Sequence, residues 1–153
     1  MEIYIKNLQK STRLHPQRIR RDLVKALRLL GLSQAELSVV FVNSERMKCL
    51  NARYRGVDKS TDVLSFPLSD GRQSMISKKP NTAPFPLGDI VICVPNNLLQ
   101  AKEYGIPFYE ETQRLLVHGL LHLAGYDHEV SEYQKRKMEK KERELLDALK
   151  KMA

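Results

Sequence analysis

The sequence predicts an α+β fold: a small four-stranded mixed sheet, mostly parallel with one antiparallel strand, surrounded by about five helices. Three observations carry that expectation. Alternating or β-branched runs recur at four places, segments of helical period lie between them, and the stretch beyond the fourth run is helical in pattern. The 153 residues suit one domain spanning 1–153, since single domains usually hold roughly 100–200 residues. At that size a fold buries about two-thirds of the unfolded chain's surface, enough for a core without disulfides.

Each element has its own signal. Ile3 and Ile5 alternate with Glu2, Tyr4 and Lys6, the period of a half-buried strand. In HPQRIRRDLVKALRLLG, Pro16 suits a first helical turn and Ile19, Leu23, Ala26, Leu27 and Leu30 form one apolar face, ended by Gly31. ELSVVFVN (Glu36–Asn43) is a β-branched strand, and Ser44 is the expected N-cap of a helix through Arg53. TDVLSFPL, from Thr61, reads as the third strand and GDIVICV, from Gly88, as the fourth. The linker between them, SDGRQSMISKKPNTAPFP, has the length of a functional or mobile loop. Asn96 to Tyr104 forms a short helix stopped by Gly105, and Pro107 leads into a histidine-bearing helix. SEYQ (Ser131–Gln134) is a capping box for a last helix, whose buried side is Met138, Leu145, Leu146, Leu149 and Met152. Two crossover helices are expected to make strands one to three parallel and to leave the fourth antiparallel to its neighbour.

Apolar residues make up 42% and charged residues 29%, which excludes an intrinsically disordered chain. Lys and Arg number 26 against 18 Asp and Glu, giving +8 at pH 7. Residues 1–30 hold eight Lys/Arg against Glu2 and Asp22. Arg18, Arg21, Lys25 and Arg28 lie on the polar face of the first helix, either an ordinary solvated face or a surface that follows phosphates. No apolar run approaches the roughly 18 residues that cross a bilayer, and MEIYIKN does not resemble a signal peptide. Cys49 and Cys93 form no paired motif and read as small core residues in a reducing cytosol. A cytoplasmic protein without membrane contact is expected.

Three of the four histidines fall within HGLLHLAGYDH, as His118, His122 and His128. The first two are four residues apart on an apolar helix, so both imidazoles share one face. Gly125 is placed to end that helix and return His128 as a third ligand. Three imidazoles suit one zinc ion, although nickel, cobalt or copper also bind such nitrogens. Closed structural sites use four ligands, usually with cysteines, so three ligands with an open fourth position point to catalysis. The bland alternative is a set of hydrogen-bonded core histidines. Metzincin proteases carry H-E-x-x-H-x-x-G-x-x-H with the same ligand spacing, a zincin-like helix whose Glu is the general base. Here that position is Gly119, so a metalloprotease without the usual base is the runner-up.

HGLLHLAGYDH, together with LNARYRGVDKSTDVLSFP (Leu50–Pro67) and LGDI (Leu87–Ile90), closely resembles the YbeY family of bacterial rRNA maturation factors. The resemblance implies a metal-dependent, single-strand-specific endoribonuclease acting in small-subunit (16S) rRNA 3′-end maturation and ribosome quality control. It implies one zinc ion on His118, His122 and His128, and a functionally important arginine at Arg55. Arg55 and His118 are the catalytic candidates, and Asp62, Ser65 and Asp89 are implied as cleft residues. Expected partners are single-stranded RNA or rRNA and the ribosomal small subunit, with no DNA.

The chemistry is compatible with that assignment. A phosphodiester calls for a cation to polarise it and donors to hold the developing charge, and an arginine fork supplies the latter. Asp127 either orients a ligand imidazole or shapes the turn. Asp62 and Asp89 either accept a proton or hold structural hydrogen bonds. Tyr54 and Tyr126 either stack on unpaired bases or pack in the core. A third reading, a non-enzymatic rRNA- or ribosome-binding module braced by zinc, stays open on the sequence.

Overall fold

The computed structural model describes residues 1–68 and 83–151. In chain order the elements are β1 (Glu2–Asn7), α1 (Pro16–Leu29), β2 (Ala35–Val42), α2 (Ser44–Arg55) and β3 (Val63–Pro67). They continue with β4 (Phe85–Cys93), α3 (Val94–Tyr104), α4 (Phe108–Leu123) and α5 (Glu132–Lys150). The four strands form one mixed sheet in the order β1-β2-β4-β3. β1 pairs with β2 and β2 with β4 in parallel, whereas β3 pairs with β4 antiparallel. The α+β class, the mixed sheet and the five helices of the sequence reading are all present.

The direction of one strand is a correction. β3, not β4, is the reversed strand, so strands one to three are not all parallel. A helix between two strands dictates a parallel pair only when the chain crosses over and returns in the same direction. After α2 the chain instead runs back to the sheet edge beyond the place β4 takes. Composition accounts for the arrangement: β4 is almost wholly buried and occupies an interior position. The short VLSFP strand carries Pro67, which has no N–H to donate and suits an edge.

The helices divide between the two faces of the sheet. Leu37, Val39, Phe41, Ile90 and Ile92 pack in one core with the apolar faces of α1, α4 and α5. The other face gathers Val42, Met47, Leu64, Val91 and Cys93 beneath α2. Cys49 is exposed rather than in the core, because Met47 and Asn51 form the buried side of α2 and residue 49 points away. Helix boundaries differ slightly from expectation. Asn43 is the N-cap of α2, its side chain accepting from Arg46 N at 2.9 Å. That helix runs to Arg55, where Gly56 (φ +70°) ends it. α3 begins at Val94 because Pro95 fits its first turn. Ser131 caps α5 by accepting from Gln134 N at 3.1 Å. Most of the long linker, residues 69–82, and Met152 lie outside the described residues. Among the described residues, no helix is long and apolar enough to cross a membrane.

Candidate metal centre

α4 passes between the sheet and the outer helices, with Leu115, Leu116, Leu120 and Leu121 buried around it. At Gly119 it comes close to the sheet. A Cβ there would meet Ile90 Cγ2 at 3.0 Å and Ser65 Oγ at 3.2 Å. The Ser65 hydroxyl also donates to the Gly119 carbonyl at 3.3 Å. The glycine therefore serves helix–sheet contact, and residue 119 looks toward β3 and β4.

His118 and His122 stand one turn apart on α4, their ring centroids 4.7 Å from each other. The helix ends at Ala124, where Gly125 (φ +103°) reverses the chain. Gly125 N donates to His122 O at 3.1 Å and Tyr126 N to Leu121 O at 3.0 Å, closing the turn. Asp127 Oδ1 accepts from Glu129 N at 2.9 Å, which braces the turn. The turn returns the His128 ring to 5.6 Å from His118 and 5.1 Å from His122, centroid to centroid. One nitrogen of each half-buried ring lies within 4.8 Å of the others.

These residues fit a divalent metal. The Nε2 atoms of His118 and His122 are 3.2 Å apart, close to the roughly 3.3–3.4 Å between two nitrogens bound tetrahedrally at about 2.0–2.1 Å. His128 Nδ1 is buried and has no hydrogen-bond partner among the described residues. Burial, followed by the neighbouring His118 and His128, lowers the His122 pKa below the ordinary imidazole value. A neutral ring is the form that offers a lone pair to a metal.

The other candidates are distributed around this cluster. Arg55 is the exposed last residue of α2, a helix packed on the other face of the sheet from α4, which carries two of the rings. Its tie to them runs through the edge strand: Tyr54 packs edge-on to Phe66 at 5.2 Å, and the adjacent Ser65 touches Gly119. Tyr54 is exposed, whereas Tyr126 is 9% exposed and packs in the core. Asp62 accepts from Val63 N at 2.8 Å and from Gln100 Nε2 at 3.2 Å, tying the start of β3 to α3. Asp89 is half-buried and alternates with Ile90, which places it on the α2 side of β4.

Sequence reasoning missed Glu142. It lies on the inner side of α5 between Met138 and Leu145, with Oε1 3.8 Å from His118 Nδ1. Counting 138, 142, 145 and 149 as one helical face would have found it.

The family model of endoribonuclease YbeY matches residues 4–150. The chain belongs to the endoribonuclease YbeY family. The endoribonuclease YbeY of Syntrophus aciditrophicus is 40% identical over 146 residues, covering 95% of this chain and 88% of the relative. That of Desulforamulus reducens is 39% identical over 153 residues, covering 97% of each. A Thermotoga maritima protein solved in solution superposes with a TM-score of 0.66 at 26% identity, over 96% of this chain and 88% of its own. The match to the YbeY family thus takes in the imidazole cluster, β3 and α5 together.

Proposed function

We propose that this member of the YbeY family is a zinc-dependent, single-strand-specific endoribonuclease of small-subunit (16S) rRNA 3′-end maturation and ribosome quality control. The observation that carries the reading is the convergence of one nitrogen each from His118, His122 and His128 within 4.8 Å. Residues 1–153 form a single hydrolase domain on this reading, and the cytoplasm is where its rRNA substrate on the small subunit would be met.

His118, His122 and His128 would hold the ion, and zinc suits three imidazoles better than the oxygen-seeking cations do. When bound, it would polarise a phosphoryl oxygen and lower the pKa of a coordinated water to about 7. The neutral His122 ring keeps its lone pair for coordination rather than for a proton. Arg55 offers an exposed side chain at the end of α2, whose guanidinium would contact phosphate oxygens through two N–H groups. The basic face of α1 would add a sequence-independent attraction for RNA. The peptidase reading is disfavoured by residue 119, whose Cβ direction leads into Ile90 and Ser65.

The test is cleavage of labelled single-stranded and duplex RNA by wild type and His118→Ala, with metal content measured on both. Chelator-sensitive cutting of the unpaired strand by wild type alone is expected. Undiminished cutting by thoroughly metal-free protein would overturn the reading. Turnover of unstructured protein, lost in His122→Ala, would replace it with a metalloprotease. RNA binding that survives ligand substitution, with no cutting at all, would replace it with a binding module.

A further inference from the structure

We infer that Glu142 is the positioning residue of the metal centre, its carboxylate accepting a hydrogen bond from the protonated Nδ1 of His118 and so leaving Nε2 to face the ion. The inference rests on the metal reading above and extends it to a helix that carries none of the three histidines.

The position of Glu142 needs explaining. α5 buries Met138, Leu145 and Leu149 against the core, and residue 142 falls on the same side. A carboxylate there loses hydration, which is costly unless a donor replaces the water. Glu142 Oε1 is buried and has no hydrogen-bond partner among the described residues. The group facing it is His118 Nδ1, at 3.8 Å. That is an ion-pair distance, roughly 0.9 Å beyond a closed N–H···O bond of about 2.9 Å. Arg114, one turn before His118 on α4, is a further charged neighbour. Its hydrogen bonds to Glu111 chiefly raise the Arg114 pKa, and the Glu142 charge contributes least. Arg114 is thus already engaged, and the unsatisfied Oε1 is left to His118.

The geometry on the far side of the ring completes the argument. His118 Nε2 points at His122 Nε2, 3.2 Å away, inside the cluster. Nδ1 must then carry the proton for Nε2 to present a lone pair, and a ligand histidine usually donates its other N–H to a carboxylate, carbonyl or water. Glu142 is the carboxylate in that position. Its negative charge also makes the ring a stronger donor to the metal.

The experiment measures zinc affinity by chelator competition for wild type, Glu142→Gln, Glu142→Ala and the exposed, equally charged control Glu139→Gln. Metal-free melting temperatures are recorded beside it. Expected are a loss of about 10-fold for Glu142→Gln and between 10- and 100-fold for Glu142→Ala, with Glu139→Gln unchanged. A proton NMR signal of His118 Nδ1–H in the zinc-loaded wild type should move upfield in Glu142→Gln, a change that mere loss of packing does not produce. Affinities within twofold of wild type for both Glu142 variants would overturn the inference while leaving the metal reading intact. No zinc bound by wild type would overturn both.

Discussion

The Tyr109 phenol donates a 2.6 Å hydrogen bond to Asp22 Oδ2, a residue 87 positions earlier in the chain. Gln113 Nε2 donates to the same oxygen at 2.9 Å, and the Arg18 guanidinium lies 3.7 Å above the Tyr109 ring. Asp22 is 4% exposed. An aspartate inside the most basic helix of the protein therefore clamps α1 to the first turns of α4, upstream of His118 and His122. Asp22→Ala should leave a phenol and an amide without their acceptor and cost about 1–3 kcal/mol of stability, read by urea unfolding.

The same clamp sets a response to alkali. Burial first, then the hydrogen bond to Asp22 and its charge, raise the Tyr109 pKa above the ordinary tyrosine value. Below about pH 10, where an unfolded tyrosine keeps its proton, the stabilisation is complete. It is lost as pH rises further, because the unfolded phenol ionises first. The stability gap between wild type and Tyr109→Phe should therefore be full at pH 8 and narrower at pH 11.

Two glycines should differ in what they tolerate. A Cβ on Gly88 would strike the Phe66 carbonyl and come to 2.8 Å from Leu123 Cδ2, at a φ of +151°. Gly88→Ala should lose about 3 kcal/mol or more, or fail to fold. At Gly119 the nearest atom is a side-chain methyl at 3.0 Å, so Gly119→Ala should cost about 1–3 kcal/mol. Thermal melts of the two variants would rank them.

Zinc at a hundred times its Kd should stabilise wild type by at most about 2.7 kcal/mol. His122→Ala should gain nothing at the same concentration. Its half-buried ring makes it removable without collapse of the core, so its metal-free melt should stay near that of wild type. Calorimetry with and without zinc checks both statements.

Not all of the basic helix is available to RNA. Arg18 covers Tyr109, and Arg20 Nη1 donates to the Ile3 carbonyl. Arg21, Lys25 and Arg28 remain, lining a groove of about 370 Å³ with Gln17, Arg20 and Val24. Lys25→Ala and Arg28→Ala should each weaken single-stranded RNA binding and reduce the salt slope by about 0.7, without altering zinc content. A salt response unchanged by both would remove α1 from the binding surface.

What could be read from the sequence was what is encoded locally. Ile3 and Ile5 announce β1 by alternation, Pro16 and Gly31 bracket α1, and the three histidines sit in one short segment with the glycine that turns it. The reversal of β3 was not readable, because it depends on which strand takes the interior place beside β2. Asp127 shapes the turn through its bond from Glu129 N, and its charge also reaches the His122 ring, a pairing that sequence spacing alone does not show. Glu142 was hidden by its surroundings. In KMEKKERELL one more acid among lysines looks solvated, and only the docking of α5 brings it to His118. Arg55 owes its candidacy to the family motif, since the sequence by itself shows an arginine at a helix end.

All three imidazoles come from 11 consecutive residues. A denatured chain keeps that segment intact, and bringing the ends of so short a loop together costs little entropy. Unfolded molecules would then chelate the ion too, and whatever they capture subtracts from the thermal protection it gives the native state. Metal would be a weak guard against heat in this protein even where it is held tightly.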